Sequence, residues 1–210
     1  VGLLGPNGCG KTTTIGMILG LLKPTSGQVL INGKNIENNK ISILHKMNFI
    51  SPYIELPKKL TVKQNLIVYG KLYNIQNLNE RIIFLSEKLR LGDLLDKITG
   101  ELSSGQKNRV SLAKALINDP TVLLLDEPTA ALDPETADFI RTFLEKYKEE
   151  KKISVLLASH NMDEVKRLCN SVMMMKDGNI VDSGTPENLI KKYGQKNLEE
   201  VFLEIVRNDK

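Results

Sequence analysis

The sequence predicts an α/β fold in which a mainly parallel sheet forms the core and an α-helical lobe is inserted into it. Residues 1–4, 122–125 and 153–158 are short, almost continuous apolar runs, and such runs are typical of parallel strands buried on both faces. Segments of helical periodicity separate these runs. The alternation stops between about residues 56 and 118. We therefore place a helical subdomain at residues 53–118, within a single domain that spans residues 1–210.

Local signals define the elements of the first half of the chain. Residues 11–22 have an amphipathic pattern that predicts a helix directly after the first strand. Asn32-Gly33 follows the apolar segment 28–31 and is a hairpin turn signal. Residues 62–90 are helical in period, and Thr61 precedes them as the expected N-cap.

The second half repeats the same alternation. Residues 103–117 predict another helix, and residues 134–149 predict a charged amphipathic helix with Pro134 in its first turn. A shorter helix is expected at residues 162–168. Two further strands are expected around the turn Asp177-Gly178.

Composition excludes several classes of protein. Of the 210 residues, 41% are hydrophobic and 26% are charged, which suffices for a packed core and excludes a disordered chain. No apolar run reaches the roughly 18 residues that a membrane helix needs. Cys9 and Cys169 are too few and too far apart for a disulfide framework or a zinc site, and we expect both to be reduced. The net charge of +4 is compatible with contact to phosphate or anionic lipid but requires neither.

The most specific local signal lies between the first strand and the first helix. It matches G-x-x-x-x-G-K-[ST], in the strand-to-helix context that this phosphate-binding motif requires, and predicts a P-loop NTPase core. Glycines let backbone N–H groups turn toward phosphates, and the helix N-terminus adds partial positive charge. We expect Lys11 to reach the β- and γ-phosphates and the Thr12 hydroxyl to bind Mg²⁺. The expected nucleotide-binding residues here are Gly5, Pro6, Asn7, Gly8, Cys9, Gly10, Lys11, Thr12 and Thr13.

Two carboxylates follow the apolar run at residues 122–125. Asp126 and Glu127 are expected at the carboxyl edge of the sheet, where α/β folds bind their ligands. Asp126 would hold the magnesium ion, and Glu127 can face the attacking water as a general base. A helix-capping turn would also place two acids here, but the phosphate-binding loop favours the catalytic interpretation.

Three more polar positions lie at helix starts or strand ends. Ser103 opens the helix at residues 103–117, whose N-terminus suits an anion, although this segment alone predicts only a capped helix. Asp133 precedes Pro134 as an N-cap, which is compatible with a functional role. His160 follows the strand at residues 153–158, where a single histidine is more often structural than catalytic, and His45 is expected at the surface.

Taken together, these segments resemble the nucleotide-binding subunit of an ATP-binding cassette (ABC) transporter. The order of motifs matches that family, and the resemblance covers nearly the whole chain. Residues 177–186 and 198–205 resemble ABC exporter ATPases of the subclass that moves drugs, polysaccharides, haem or lipids. The resemblance also implies that N-terminal strands precede residue 1. The matching segments are the phosphate-binding loop at 5–12, the signature-like 102–106, the carboxylate strand at 122–127, the D-loop at 131–133 and the switch residue His160.

The resemblance implies a nucleotide-dependent dimer, formed with a second copy or with a different nucleotide-binding subunit. Two domains would enclose two ATP molecules head to tail, with each phosphate-binding loop facing the signature segment of the partner. Ser103, Gly105 and Gln106 would then contact the nucleotide bound to the other subunit. Asp133 would belong to the D-loop at the same interface.

The resemblance also implies the catalytic roles and the cofactors ATP and Mg²⁺. Glu127 would polarise the attacking water, while Lys11 would bind the phosphates. His160 would hold the γ-phosphate and link it to the D-loop of the partner. Thr12 and Asp126 are the implied metal-binding residues.

Two positions depart from the family pattern. The family usually has glutamine where the core enters the helical lobe, and counting back from residues 60–62 places Pro52 there. Proline has no side-chain donor or metal ligand, so a glutamine-type contact to magnesium is not assigned, and Ser51 or a water molecule is the alternative ligand. Ser104 stands where glycine is usual and adds a hydroxyl close to the phosphate. The aromatic residue that stacks on adenine lies upstream of the phosphate-binding loop in this family, so adenine recognition is not assigned.

The function expected from the resemblance is ATP hydrolysis that powers transport through separate transmembrane permease subunits. Such a subunit would be cytoplasmic, peripheral on the inner face of the cell membrane, and no nucleic acid partner is expected. The alternative is a soluble ABC-type ATPase that acts on nucleic acid or ribosomes. The chromosome-structure members of that class carry a long coiled coil between loop and signature, whereas about 90 residues without sustained heptads separate them here. A regulator that binds nucleotide without hydrolysing it is a third alternative, but the residues for hydrolysis are all present: Lys11, Asp126, Glu127 and His160.

Overall fold

A computed structural model describes residues 1–52 and 55–207. The strands are β1 (Gly2–Leu4), β2 (Leu30–Ile31), β3 (Lys34–Asn35), β4 (Met47–Ile50), β5 (Val122–Asp126), β6 (Ser154–Ala158), β7 (Val172–Lys176) and β8 (Asn179–Gly184). The helices are α1 (Lys11–Ile18), α2 (Ile36–Leu44), α3 (Val62–Leu72), α4 (Leu78–Lys88), α5 (Ser104–Leu116), α6 (Pro134–Lys151), α7 (Met162–Leu168), α8 (Pro186–Tyr193) and α9 (Leu198–Arg207). The predicted α/β fold is confirmed. Each helix in the described part of the chain is too short or too polar to cross a bilayer.

The chain divides into two compact units. The first contains Val1–Ile43, Leu124–Glu127 and Ser154–Lys210, and the second contains Leu44–Leu123 and Pro128–Ile153. The helical subdomain proposed from the sequence begins at Tyr53, which lies outside the described residues.

The first unit is built on parallel strands. Five strands lie side by side in the order β5-β6-β1-β7-β8, and β2 and β3 form a separate two-stranded sheet. β1 runs parallel to both of its neighbours, with Leu3 opposite Ala158 on β6 and opposite Met173 on β7. Burial accounts for this arrangement, since Leu3, Leu4 and Ala158 are at most 2% exposed. Only the β7–β8 hairpin, closed by Asp177-Gly178, is antiparallel among the strand pairs described for this sheet.

The other elements of the first unit agree only in part with the sequence prediction. α1 stops at Ile18 rather than near residue 22, because Gly20 adopts a left-handed φ of 65° and Leu21 turns out to solvent. The predicted hairpin at Asn32-Gly33 is confirmed, with positive φ at both residues. α8 and α9 were not predicted as helices.

The second unit contains the helices α3 to α6 together with β4. The helical period predicted over residues 62–90 belongs to two helices, α3 and α4, because Asn74 interrupts it with a left-handed φ of 53°. Thr61 caps α3 as predicted, and its hydroxyl accepts the Gln64 N–H at 3.1 Å. A Cβ on Gly70 would lie 2.0 Å from Leu78, so the absence of a side chain lets α4 begin directly against α3.

α2 and β4 were also missed by the sequence analysis. α2 is interrupted at Asn39, where φ is −129°, so its apolar residues do not keep a helical period. β4 has only four residues. His45, between them, is exposed as expected.

A cluster around Asp119 joins three segments of the second unit. The Tyr147 hydroxyl donates to Asp119 Oδ1 at 2.9 Å, and Lys151 Nζ donates to Oδ2 at 3.1 Å. Arg81 on α4 also donates to Oδ1, at 3.3 Å. Partial burial acts to raise the pKa of Asp119, but the hydrogen bonds from Tyr147 and Lys151 and the charge of Arg81 outweigh it and lower this pKa. The cluster therefore favours an ionised carboxylate at the turn that follows α5.

We expect Asp119→Asn to lower the free energy of unfolding at pH 7 by about 1 kcal/mol, because the amide loses the charge that Arg81 and Lys151 bind. Asparagine tolerates the left-handed φ of 47° at this position, so backbone strain should not add to the effect. The pKa is lowered in the folded state, so the carboxylate stabilises the fold above the unfolded pKa of about 3.9. That contribution is lost as the pH falls through the lower folded pKa.

Urea unfolding between pH 7 and pH 3 measures this effect. The difference in free energy of unfolding between the wild type and the variant should narrow toward the acidic end of the range, because the folded-state pKa of Asp119 is lowered. Asp96→Asn is the matched control, since Asp96 is an exposed aspartate of the same unit. A destabilisation that does not change with pH would contradict the role of the carboxylate charge.

Candidate active site

The loop between β1 and α1 forms a cradle that only glycine permits. Gly8 and Gly10 adopt positive φ angles of 82° and 104°, where L side chains are strained. A Cβ on Gly5 would lie 2.4 Å from Cys9 Sγ and 2.4 Å from the Met175 carbonyl oxygen. The Gly178 N–H donates to the Cys9 carbonyl at 3.1 Å, so the turn between β7 and β8 supports the loop from outside.

The start of α1 offers backbone donors to an anion. Gly10 is the N-cap of α1, and no side chain caps this helix. Lys11 Nζ donates to the carbonyl oxygens of Gly5 at 2.6 Å and of Pro6 at 3.0 Å, which places its ammonium over the loop. A positive side chain beside an uncapped helix N-terminus fits the phosphates of a nucleotide. Thr12 and Thr13 lie exposed on the first turn, where a hydroxyl can reach a metal ion.

Cys9 supports the loop from inside. It is 3% exposed and packs with Leu3 and Met175. Its Sγ lies 3.9 Å from Lys11 Nζ. The Cys9 side chain therefore contributes packing to the loop.

Asp126 and Glu127 lie where β5 ends, as the sequence predicts. Asp126 is the last residue of the strand and is 4% exposed. Glu127 leaves the strand through a left-handed φ of 50°, and its N–H donates to the Ala158 carbonyl at 2.8 Å. This turn fixes the Glu127 carboxylate beside the end of β6. A positive φ strains the backbone of a non-glycine residue, and such strain is frequent at functional sites.

His160 binds the carboxylate of Glu127 through two of its nitrogens. The backbone N–H of His160 donates to Glu127 Oε1 at 3.1 Å, and the ring Nδ1 lies 2.6 Å from the same oxygen. The Glu127 side chain is 17% exposed, whereas the His160 side chain is 73% exposed. The ring of His160 is thus anchored to Glu127 through Nδ1 while most of its surface remains exposed.

The signature-like segment lies in the second unit and forms a capping box at the start of α5. The Ser103 hydroxyl accepts the Gln106 N–H at 3.3 Å, and the Gln106 side chain accepts the Ser103 N–H at 3.0 Å. A Cβ on Gly105 would lie 3.2 Å from Thr136, so α5 and the start of α6 approach closely here. Ser104 is the first residue of α5 and is exposed.

Asp133 caps α6 close to this segment. Its Oδ1 accepts the Thr136 N–H at 2.9 Å, and this hydrogen bond lowers the pKa of the Asp133 carboxyl. Ala131 precedes it with a left-handed φ of 58°. The second unit thus brings Asp133 and the signature-like segment together, while the first unit brings together the phosphate-binding loop, Asp126, Glu127 and His160.

Pro52 and two other residues complete the description of the site. Pro52 is exposed just after β4, where the sequence places the departure from the glutamine pattern. Ser159 and Glu164, both 1% exposed, lie behind Glu127 and were not predicted as part of the site. The sequence signal near these residues is Asn161 as an N-cap, followed by Asp163 and Glu164 in the first turn of α7. This pattern predicts only a capped helix.

Comparison with protein families agrees with this geometry. The model described as "ABC transporter" matches residues 1–130. A second model, described as "AAA domain, putative AbiEii toxin, Type IV TA system", matches residues 98–165.

Curated relatives include proteins of both transport directions. The chain is 34% identical over 206 residues to the ABC transporter ATP-binding protein NatA of Bacillus subtilis (strain 168), covering 97% of the chain and 83% of NatA. It is 38% identical over 197 residues to the methionine import ATP-binding protein MetN of Latilactobacillus sakei subsp. sakei (strain 23K), covering 90% of the chain and 57% of MetN. It is 37% identical over 191 residues to the Nod factor export ATP-binding protein I of Paraburkholderia xenovorans (strain LB400), covering 90% of the chain and 62% of that protein. The chain thus spans less than two thirds of the last two relatives.

Solved structures share the fold and the nucleotide chemistry. The "Structure of ATP binding subunit of ABC transporter" superposes with a TM-score of 0.87 at 28% identity, covering 98% of the chain and 87% of that structure. A dimeric post-hydrolysis state of the ATP-binding cassette MJ0796, bound to ADP and Pi, superposes with a TM-score of 0.78 at 26% identity, covering 88% of the chain and 84% of that structure. With the family match at residues 1–130, these similarities show that the chain belongs to the ABC transporter ATP-binding family, whose members bind and hydrolyse ATP to power transport through partner membrane subunits.

Proposed function

We propose that ATP hydrolysis in this protein is carried out by the residues at the carboxyl edge of the first unit, with Glu127 as general base. The observation that supports this most strongly is the contact between Glu127 and His160. The backbone N–H of His160 donates to Glu127 Oε1 at 3.1 Å. The ring Nδ1 of His160 lies 2.6 Å from the same carboxylate oxygen. A carboxylate fixed in this way can accept a proton from a water molecule in a defined direction.

Lys11 and the start of α1 would bind the phosphates of ATP. The Lys11 ammonium lies over the loop, held by the Gly5 and Pro6 carbonyls, and needs little rearrangement to neutralise phosphate charge. Thr12 and Asp126 would hold Mg²⁺, which when bound neutralises charge on the phosphates and orients them. Pro52 contributes no side-chain ligand to this set.

Glu127 would take one proton from the attacking water as its oxygen bonds to the γ-phosphorus. The bond between that phosphorus and the β–γ bridging oxygen breaks, and the products are ADP and inorganic phosphate. His160 would hold the γ-phosphate with Nε2, since Nδ1 is occupied by Glu127. General-base assistance of this kind contributes roughly 10²- to 10⁴-fold to the rate.

The signature-like residues would act on the nucleotide of a second subunit. Ser103, Gly105 and Gln106 open α5, and the capping box fixes the orientation of its first N–H groups. Asp133 opens α6 close by. The similarity to a dimeric cassette supports a head-to-tail dimer, formed with a second copy or with a related subunit. Moving such an equilibrium from 1:99 to 99:1 needs about 5.5 kcal/mol of differential binding.

Hydrolysis would drive export through transmembrane permease subunits, at the cytoplasmic face of the membrane. Export is supported by the resemblance of residues 177–186 and 198–205 to exporter ATPases and by the similarity to Nod factor export proteins. MetN, at 38% identity, is a methionine import ATP-binding protein, so overall identity does not decide the direction of transport. In inside-out vesicles that carry the assembled transporter, ATP should drive a labelled drug or lipid into the lumen. ATP-dependent loss of that label from the lumen would contradict export.

The Glu127→Gln variant tests the general base. We expect turnover to fall by about 10²- to 10⁴-fold while the affinity for ATP changes by less than about 3-fold, because the amide cannot accept the proton but occupies the same space. Sedimentation with and without Mg-ATP should show a dimer that accumulates only with nucleotide. Glu187→Gln is the control, since Glu187 is an exposed glutamate on α8.

Two results would count against parts of this proposal. Ordinary turnover in the Glu127→Gln variant would show that Glu127 is not the base. A Glu127→Gln monomer that binds ATP tightly would leave the phosphate-binding loop intact but contradict a role for Ser103 in the isolated subunit.

The Lys11→Ala variant tests the phosphate-binding loop. We expect the dissociation constant for ATP to rise by about 10- to 100-fold, because a charge-assisted hydrogen bond is worth about 1.5–3 kcal/mol. A fluorescent ATP analogue titrated into the protein measures this change. Lys34→Ala removes an exposed lysine from the same unit and should leave the dissociation constant unchanged. Equal affinity in wild type and Lys11→Ala would refute the assignment.

A further inference from the structure

A buried carboxylate lies behind the Glu127–His160 pair and has no part in the mechanism described above. Glu164 is in the first turn of α7 and is 1% exposed. Its Oε2 accepts the Ser159 hydroxyl at 2.6 Å. Burying an ionisable carboxylate is costly unless hydrogen bonds compensate for the loss of water. A glutamate that served only to begin α7 could remain in solvent.

Ser159 connects this carboxylate to the candidate base. Its Oγ lies 2.6 Å from Glu164 Oε2 but 3.4 Å from Glu127 Oε2. A serine hydroxyl has one proton to donate, and the shorter contact takes it. Ser159 Oγ also accepts the backbone N–H of Asn161, at 3.0 Å. Glu164 therefore sets the direction of the Ser159 hydroxyl, and that hydroxyl holds Asn161.

These contacts fix the backbone on both sides of His160. Ser159 precedes it and Asn161 follows it, and the two are joined through the Ser159 hydroxyl. The Asn161 side chain in turn accepts the Glu164 N–H at 3.3 Å, so the turn and the start of α7 form a closed set of hydrogen bonds.

His160 depends on such backbone support because its side chain is not held by packing. The ring is 73% exposed, yet both its Nδ1 and its backbone N–H reach the same oxygen of Glu127. Two bonds from one residue to one oxygen require the backbone at residue 160 to stay in a narrow range of positions.

We propose that Glu164 is a positioning residue for ATP hydrolysis, which acts through Ser159 to hold the turn that carries His160 against Glu127. This inference rests on the proposed catalytic roles of Glu127 and His160. In this proposal Glu164 acts on the Glu127–His160 pair through the Ser159 hydroxyl. Its removal should therefore slow the chemical step and leave ATP binding unchanged.

The first test compares Glu164→Ala and Glu164→Gln in the full-length protein. We expect Glu164→Ala to lower kcat by about 10- to 100-fold with KM for ATP unchanged within about 3-fold, the range for supporting residues around a reactive centre. Glu164→Gln retains an oxygen that can accept the Ser159 hydroxyl, and it should keep kcat within about 5-fold of the wild type. Asp163→Ala is the matched control, since Asp163 is an exposed acid on the same turn.

The second test uses a double-mutant cycle with Ser159→Ala. If both residues act through one hydrogen bond, the Ser159→Ala/Glu164→Ala double variant should lose no more kcat than the worse single variant. Losses in kcat that multiply would overturn the proposal. Ser159→Ala is the smaller change, so it carries the test should Glu164→Ala fail to fold, as judged by its thermal unfolding.

Two further outcomes separate this inference from the proposed function. Normal kcat in Glu164→Ala and Ser159→Ala, with low kcat in Glu127→Gln, would overturn the positioning role while the general base stands. Ordinary turnover in Glu127→Gln would overturn both. A raised KM with unchanged kcat in Glu164→Ala would also overturn the positioning role, because it would place Glu164 in nucleotide binding.

Discussion

The parallel pairing of β1 with β6 and β7 is the constraint on which the rest of the first unit depends. Leu3 and Leu4 are almost completely buried, and β1 pairs in parallel with a neighbour on each side. Because β1 and β6 run in the same direction, the loop after β1 and the turn after β6 emerge at the same edge. The Glu127 N–H bonded to the Ala158 carbonyl brings the end of β5 to this edge as well. A phosphate-binding loop, a carboxylate pair and a histidine thereby meet although more than 100 residues separate the first from the others.

The carboxyl edge of the sheet also contains several features that lower the stability of the folded chain. α1 begins without a side-chain cap, Glu127 holds a positive φ, and Glu164 is a buried carboxylate. Each is a local departure from the arrangement that would stabilise the chain most. Such departures cluster where a ligand or a reacting group must be oriented. An anion at the N-terminus of α1 would satisfy its N–H groups, so part of this cost is recovered only when nucleotide is bound.

In the second unit, the helices α3, α5 and α6 each begin with a side-chain N-cap. Thr61 with Gln64 and Ser103 with Gln106 form capping boxes, and Asp133 caps α6. Of these residues, Ser103 and Gln106 stand where the family resemblance implies contact with the nucleotide of a second subunit, and Asp133 stands at the D-loop of the same implied interface. A capping box defines the direction of the first N–H groups without using them all, so structural and binding roles are compatible at Ser103. The chain is similar both to a methionine import ATP-binding protein and to Nod factor export ATP-binding proteins, so overall similarity does not distinguish the direction of transport.

The sequence by itself determined the parts of the molecule that depend on residues close together along the chain. The phosphate-binding loop, the N-caps Thr61, Ser103 and Asp133, the Asn32-Gly33 turn and the buried strands are of this kind, and the structure has all of them. Only the tertiary structure decided where α1 stops, how Asn74 divides residues 62–90, and that α2, β4, α8 and α9 form. It alone also decided that Ser159 and Glu164 lie behind Glu127, since the Ser159–Glu127 contact joins residues 32 positions apart. Such contacts follow from which strands become neighbours in the sheet, and that choice minimises exposed apolar area over the whole unit rather than within any short segment.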